Sequence, residues 1–227
     1  MAAQDFTQRA ATYEKESGWI LSPDFIKPLV PDLFGGGCML DVCTGTGIVA
    51  EYASDLGWTA TALDANEAML ADVRQPVTPI LGDANHLPFA DNSFDLVVCR
   101  QGLQYLDMAQ AAQEMVRVSR GQVRLLHGFV RENNIPHWKK LFSVSGRNSR
   151  DFFSEKILLS AIETAKPAKV EETFLVSRER FAKPPQFKEA IDRFLQQTPE
   201  FTAQQRVENQ EDAFYYDLNW VIHTVTK

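Results

Sequence analysis

Met39-Leu40-Asp41-Val42-Cys43-Thr44-Gly45-Thr46-Gly47-Ile48-Val49-Ala50 decides the fold of this chain. An apolar run stops at an acidic residue, passes through two closely spaced glycines and opens into helix-forming residues. That order reads as a strand, a tight turn and a helix N-terminus. In open α/β sheets such a junction lies at the carboxyl end of a strand, where ligands bind. Glycine lets backbone approach a ligand without a Cβ in the way, and the helix start offers unpaired N–H groups and a positive dipole end. Gly45-x-Gly47-x-x-Ala50 also fits the dinucleotide pattern G-x-G-x-x-G/A. A βα turn that binds nothing would carry the same residues.

The segments that follow bear on this choice. Trp58 to Leu63 reads as a second strand ending at Asp64, 17 residues after Gly47. An acidic residue there can accept hydrogen bonds from both hydroxyls of a ribose. Asp64 also precedes the helical run Glu67-Ala68-Met69-Leu70, so it can equally be an N-cap with Glu67 completing a capping box. Val77 to Leu81 reads as a third strand, followed by Gly82-Asp83-Ala84. Asp83 can accept from an adenine amino group and the Ala84 N–H can donate to a ring nitrogen; a plain Asx turn is the alternative. A fourth strand, Leu96-Val97-Val98-Cys99, comes after Asp91-Asn92-Ser93-Phe94-Asp95.

The series LDVCTGTG, LDANEAML, GDANHLPFADNSFDLVV resembles the class I S-adenosylmethionine-dependent methyltransferases. It is most similar to their small-molecule branch, which contains the ubiquinone/menaquinone and biotin-pathway methyltransferases. The resemblance spans roughly residues 37 to 130. It implies S-adenosyl-L-methionine as cofactor and a Rossmann-like, doubly wound α/β sheet, mostly parallel with an antiparallel last strand and helices on both faces. It further implies cofactor contacts at Asp41, Thr44, Gly45, Gly47, Asp64, Ala65, Asp83, Ala84, Arg100 and Gln101. Phe6 to Tyr13 looks like the opening helix of that family, whose tyrosine lies over the cofactor, which adds Tyr13. Asp41 can meet the positively charged amino acid portion of the cofactor or simply fix the turn. The proline–glycine turn that usually precedes the fifth strand is missing here; only Gly121 remains.

Length and charge bound the rest. At 227 residues the chain suits one domain with a proper core. A net charge of −7 argues against non-specific grip on nucleic acid. There is no apolar run of about 18 residues to span a membrane and no apolar leader at the N-terminus. Cys38, Cys43 and Cys99 fall in or beside buried strands and lack zinc-site spacing, so they read as free thiols in a reducing cytoplasm, with no metal ligand set.

The pattern of alternating strands and helices places strands near 38–43, 58–63, 77–81, 94–99 and 122–129, and helices near 47–56, 66–73 and 108–119. Residues 1–35 read as a helical lid broken by Pro23, Pro28 and Pro31, with Phe25, Ile26, Leu29, Val30 and Leu33 at helical spacing. Residues 37–130 form the cofactor core, and residues 131–227 supply acceptor-side helices and the last strands of a single domain, 1–227. Within these, helices are expected at 135–144, 151–165 and within 184–197, strands at 169–176 and 212–225, and an insertion at 178–211.

Methyl transfer from a sulfonium is an in-line displacement whose leaving group is already activated, so alignment can supply much of the rate. Acceptor contacts are expected from Arg100-Gln101-Gly102-Leu103-Gln104-Tyr105, after the fourth strand. Arg100 could pair an acidic group of a small-molecule acceptor, or be solvated or tied up in an ion pair. An oxygen nucleophile needs a base, and histidine suits neutral pH. Of His86, His127, His137 and His223, His127 is the candidate catalytic base, because it ends the apolar run Val123-Arg124-Leu125-Leu126 at the same rim. A hydrogen-bonded strand-end histidine would look the same. A nicotinamide-dependent oxidoreductase and a non-methylating cofactor-binding protein are the competing readings; Asp41 and Gly82-Asp83-Ala84 lie outside the dinucleotide pattern.

Overall fold

The computed structural model describes residues 20–32, 36–129, 132–144 and 155–227. Tyr13 and most of the expected N-terminal lid lie outside the described residues. The chain divides into two compact units. The first comprises Met1–His127, Leu158–Thr173 and Val221–Lys227; the second comprises Gly128–Ile157 and Phe174–Trp220.

In chain order the first unit holds β1 (Cys38–Val42), α1 (Ile48–Asp55), β2 (Thr59–Asp64), α2 (Glu67–Leu70), β3 (Thr78–Leu81), β4 (Phe94–Arg100), α3 (Met108–Val118) and most of β5 (Ser119–Phe129). β1 pairs in parallel with β2 and β4, β2 with β3, and β4 with β5. The central strands β1 and β4 are apolar nearly throughout because both faces are covered: Met39, Leu40, Leu96, Val97, Val98 and Cys99 are all buried. One face carries Leu40, Val42, Leu63, Val97, Cys99, Val123 and Leu125. It packs on Ala111, Met115 and Val118 of α3 and on Leu158 and Ile162 of α5 (Glu155–Glu163). Residues 20–32 are tied to the sheet by side-chain donors that reach their carbonyls: Arg100 to Ile20 O at 2.7 Å, Arg124 to Pro28 O at 2.9 Å and Trp58 to Pro31 O at 3.3 Å.

Prolines shorten that segment into two 3₁₀ turns, Pro23–Phe25 and Lys27–Leu29, in place of a longer helix. Phe25, Ile26, Leu29 and Val30 are nonetheless buried, as their spacing requires. The expected helix over 66–73 is a single turn, and Asn66 caps it through a bond from Ala68 N at 2.9 Å. Asp64 is therefore not the N-cap.

β5 begins three residues before its expected start, directly at the end of α3. No turn intervenes, which explains how the chain does without the proline–glycine pair. The cost is a register shift against β4 between Phe94 and Leu96. Gly121 is demanded there, since a Cβ would lie 2.3 Å from Asp95 O.

The remaining strands are β6 (Lys169–Ala182), β7 (Glu208–Asn209) and β8 (Ala213–Thr226). The sheet order is β3-β2-β1-β4-β5-β8-β6, with β7 antiparallel to β8. Ala168 N donates to Thr226 O at one end and Lys183 N to Asp212 O at the other, so β6 and β8 also run antiparallel. β6 continues six residues past the expected Val176, which removes the first part of the expected insertion at 178–211.

The second unit adds α4 (Ile135–Val144), α6 (Lys188–Gln197) and α7 (Pro199–Gln204). Its core is largely aromatic. Trp138, Phe181, Phe194, Phe201 and Phe214 are buried, with Phe142, Phe187 and Tyr216 packed against them. Phe181 stacks on Phe214 at 4.7 Å and Trp138 meets Tyr216 at 4.9 Å. These rings fill one another's space. Phe152 and Phe153 lie outside the described residues. β8 is buried on both faces from Trp220 to His223, so the simple alternation read from its sequence breaks there.

Candidate functional site

The site is built on the carboxyl ends of β1, β2, β3, β4 and β5. Gly47 begins α1 in the left-handed region, at φ +87°, and a Cβ there would sit 2.9 Å from Val73 Cγ2. Only glycine adopts that turn without strain. Gly47 has no side chain to cap α1. Asp41 substitutes from the end of β1: its carboxylate accepts the Ala50 N–H and the Thr44 hydroxyl, the latter at 2.6 Å. Asp41 is 1% exposed. Burial raises its carboxyl to about 6, against the lowering influence of the Thr44 bond and the Arg100 charge. These contacts are those of a residue that fixes the turn.

Asp64 joins two loops. Its Oδ2 accepts from Gly45 N at 2.9 Å and its Oδ1 from Asn66 N at 3.0 Å. The Ala65 N–H also bonds the carboxylate, and burial outweighs these bonds to push the carboxyl above its ordinary value. A carboxylate has about four acceptor directions, so with three N–H groups bound about one remains for a hydroxyl. Thr44 N donates to Leu63 O at 3.0 Å and Gly82 N to Asp64 O at 2.9 Å, which draws the three loops together.

Asp83 is exposed and forms an Asx turn. Its Oδ1 accepts from Asn85 N at 2.9 Å, and its Oδ2 lies 3.3 Å from His86 Nδ1. The Asn85 and His86 bonds hold its carboxyl below the usual range. Ala84 is buried. On the fourth loop, Gln101 takes a positive φ of 56° and its N–H donates to Leu126 O at 2.9 Å. Cys43, at φ 57°, holds the corresponding place after β1. Non-glycine residues in this region carry backbone strain, and such strain gathers at functional sites. A hydrogen bond with Cys99, together with burial, raises the Cys43 thiol well above its ordinary range.

Arg100 is buried and donates to Ile20 O. This fits the tied-up alternative better than a guanidinium open to substrate. His127 follows Leu126, the residue that holds Gln101, and is 2% exposed. Its Nε2 has no hydrogen-bond partner among the described residues. Burial, then the neighbouring His223, lowers its pKa to about 3, so the ring is neutral. His223 is buried and bonds Glu172 through Nε2 at 3.0 Å. His86 tightens the Asp83 turn, and His137 stacks on Phe201 at 5.4 Å.

The structure therefore brings Asp41, Thr44, Gly45, Gly47, Asp64, Ala65, Asp83, Ala84, Gln101 and His127 to one end of the sheet. The glycine turn also presents a buried Thr46 hydroxyl with no partner among the described residues. Two glycines in the turn, this hydroxyl and the Asp64 carboxylate fit the polar, hydroxyl-bearing body of an adenosyl cofactor. Sequence reasoning missed three parts: the Asn66 cap, the Asp41–Ala50 bond and the Glu114–Arg117 pair described below. An Asn before Glu67 and a Glu-x-x-Arg spacing were visible signals for the first and third.

Residues 40–126 match the family model described as a methyltransferase domain. The stretch that holds the site is thus similar to a methyltransferase domain. A demethylmenaquinone methyltransferase from Paenarthrobacter aurescens (strain TC1) is 35% identical over 116 residues, which are 49% of this chain and 46% of that relative. This chain spans about half the length of the curated relatives it matches. A putative methyltransferase from Bacillus halodurans C-125 superposes with a TM-score of 0.71 at 21% identity, covering 86% of this chain and 94% of that one. Haemonchus contortus phosphoethanolamine N-methyltransferase 2, solved with S-adenosylhomocysteine, gives a TM-score of 0.56 at 20% identity, covering 90% and 51%. These two likenesses bear on the fold. Among the described residues, no helix is long and apolar enough to cross a membrane.

Proposed function

We propose that this chain transfers the methyl group of S-adenosylmethionine to a small-molecule acceptor, giving S-adenosylhomocysteine. The observation that carries the reading is Asp64, whose two oxygens gather the glycine turn and the β2–α2 turn at the carboxyl end of β2. When bound, the cofactor supplies a methyl group on a sulfonium, a leaving group that needs no protonation. The chain has to bind, align and exclude water. Asp64 takes the ribose hydroxyls, Asp83 and Ala84 take the adenine edge, and the glycine turn with Thr44 lies along the cofactor. Gln101 faces its methionine end, and Asp41 contributes by holding the turn. Tyr13 covers the cofactor in this reading.

The acceptor approaches from the loop after β4. His127, neutral and without a partner on Nε2, receives the acceptor's proton or holds its hydroxyl in line. Burial disfavours the imidazolium, so the holding role asks least of the site. A net charge of −7 supports a small acceptor over nucleic acid, and three free thiols support a reducing cytoplasm. Because the matched relatives are named demethylmenaquinone methyltransferases, a demethylated quinol is the first acceptor to try.

The test is incubation with methyl-labelled S-adenosylmethionine and such quinols. The proposal expects S-adenosylhomocysteine and labelled product in equal amounts, with loss of both in Asp64→Ala. Cofactor consumption without label in any acceptor would refute methyl transfer.

A further inference from the structure

The loop that follows β3 carries Asp83 and Ala84. Besides its own turns at Asp83 and Leu87, it is bonded along its length to α3. Glu114 and Arg117 stand one turn apart on that helix, and Arg117 uses all of its donors. Its Nε and Nη2 clasp the two Glu114 oxygens at 2.7 and 2.8 Å. Its Nη1 donates to Phe89 O and to Asp91 Oδ1, both at 2.8 Å, and Nη2 also reaches Leu87 O at 3.0 Å. A guanidinium has five N–H groups, and here five acceptors meet them.

Glu114 works in the other direction. Its Oε2 accepts the Leu87 N–H at 2.8 Å. The backbone completes the seam: Asn92 N donates to Arg117 O at 3.0 Å and Ser93 N to Val118 O at 2.8 Å. Asn85 Oδ1 accepts from Asp107 N at 3.1 Å, at the start of the same helix. The loop is thus fixed to α3 at Asn85, Leu87, Phe89, Asp91, Asn92 and Ser93. Asp83 and Ala84 lie at its free end, beside the Gly82–Asp64 bond.

Exposed ion pairs are ordinarily worth little. This one differs because most of the Arg117 bonds go to fixed backbone carbonyls or to a carboxylate that holds the same backbone. Lysine carries the charge but offers no planar fork and only three donors. A shift of about 1 Å in a binding group is enough to cost much of its effect.

We propose that Arg117, oriented by Glu114, is a positioning residue for adenine recognition: it sets the loop so that Asp83 and Ala84 meet the base together. The inference rests on the reading of Asp83 and Ala84 as the adenine contacts.

The experiment is calorimetric titration of wild type, Arg117→Lys, Glu114→Gln and Asp83→Ala with S-adenosylhomocysteine and with S-inosylhomocysteine. The second ligand replaces the adenine amino group by an oxygen. Wild type should prefer the adenine ligand by about 10-fold or more. Arg117→Lys should lose most of that preference, chiefly through weaker adenine binding, and Glu114→Gln should shift it the same way by less. A preference kept intact in both variants, with only the unfolding temperature lowered, would make the pair a structural stitch and overturn the proposal. If Asp83→Ala keeps the preference, the adenine reading itself fails. If Asp83→Ala loses it while Arg117→Lys and Glu114→Gln keep it, only the positioning role fails. Should Arg117→Lys not fold, Glu114→Gln alone decides.

Discussion

Asp41 should make the fold less stable as pH rises from 4 to 7, against the usual behaviour of a carboxylate. The residue is 1% exposed, and burial raises its carboxyl to about 6 from the ordinary 3.8. In the unfolded chain it ionises near 3.8, so between the two values the folded state binds more proton than the unfolded one. Its stabilising contribution is therefore fully present below pH 3.8 and is lost as pH rises through 6. At about 1.36 kcal/mol for each tenfold change in proton affinity, the loss amounts to about 3 kcal/mol. Other groups are shifted too. Asp64 and Glu179 are raised and act in the same sense. The buried His127 and His223 are lowered and act in the opposite sense, as do Asp83, Asp95, Glu114 and Asp192 at lower pH. The measurement must therefore be a difference. Urea unfolding of wild type and Asp41→Asn at several pH values from 4 to 7 isolates the Asp41 contribution, because asparagine has no proton to lose there. The wild-type free energy should fall relative to the variant by up to about 3 kcal/mol across the range. Curves that stay parallel would refute the idea that burial suppresses this charge.

Further predictions follow from the same geometry. Asp64→Ala should weaken S-adenosylhomocysteine binding by about 1–3 kcal/mol, roughly 5- to 150-fold by calorimetry; unchanged affinity would remove Asp64 from the ribose. Gly121→Ala should lower stability by about 1–3 kcal/mol or more, because its Cβ would meet the Asp95 carbonyl at 2.3 Å and backbone has little room to move; chemical denaturation checks this. His127→Asn should lower kcat by about 100-fold or more if the ring takes the acceptor's proton, with cofactor affinity unchanged. With the ring titrating near 3, the wild-type pH–rate profile should show no limb from His127 near 6.5; such a limb would contradict its buried, neutral state.

Much of the first unit was legible because its signals are local. Four apolar residues in a row at Leu96–Cys99 announce a strand covered on both faces, and two glycines after Asp41 announce the turn that follows. Asp64 and Asp83 were placed by their position at strand ends. What the sequence concealed depends on partners far along the chain. Arg124 and Arg100 look like strand-end charges, and nothing near them says that they hold the carbonyls of Pro28 and Ile20. The capping box at Asp64 and Glu67 was a plausible local pattern, but Asp64 is drawn away by Gly45 and the cap passes to Asn66. The end of β6 was misplaced because Ser177 to Glu179 reads as polar loop. In the fold, Ser177 accepts the Trp220 N–H at 2.8 Å and Arg178 pairs with Asp217 at 3.0 Å, both from β8. The α3–β5 junction had no turn signal because it has no turn.

The central claim is that the end of this sheet is an adenosyl-cofactor site, and parallel calorimetric titration with S-adenosylmethionine, S-adenosylhomocysteine and NAD tests it most directly. The account predicts micromolar binding of the first two and none of NAD. Binding of NAD alone, or of none of the three, would contradict it.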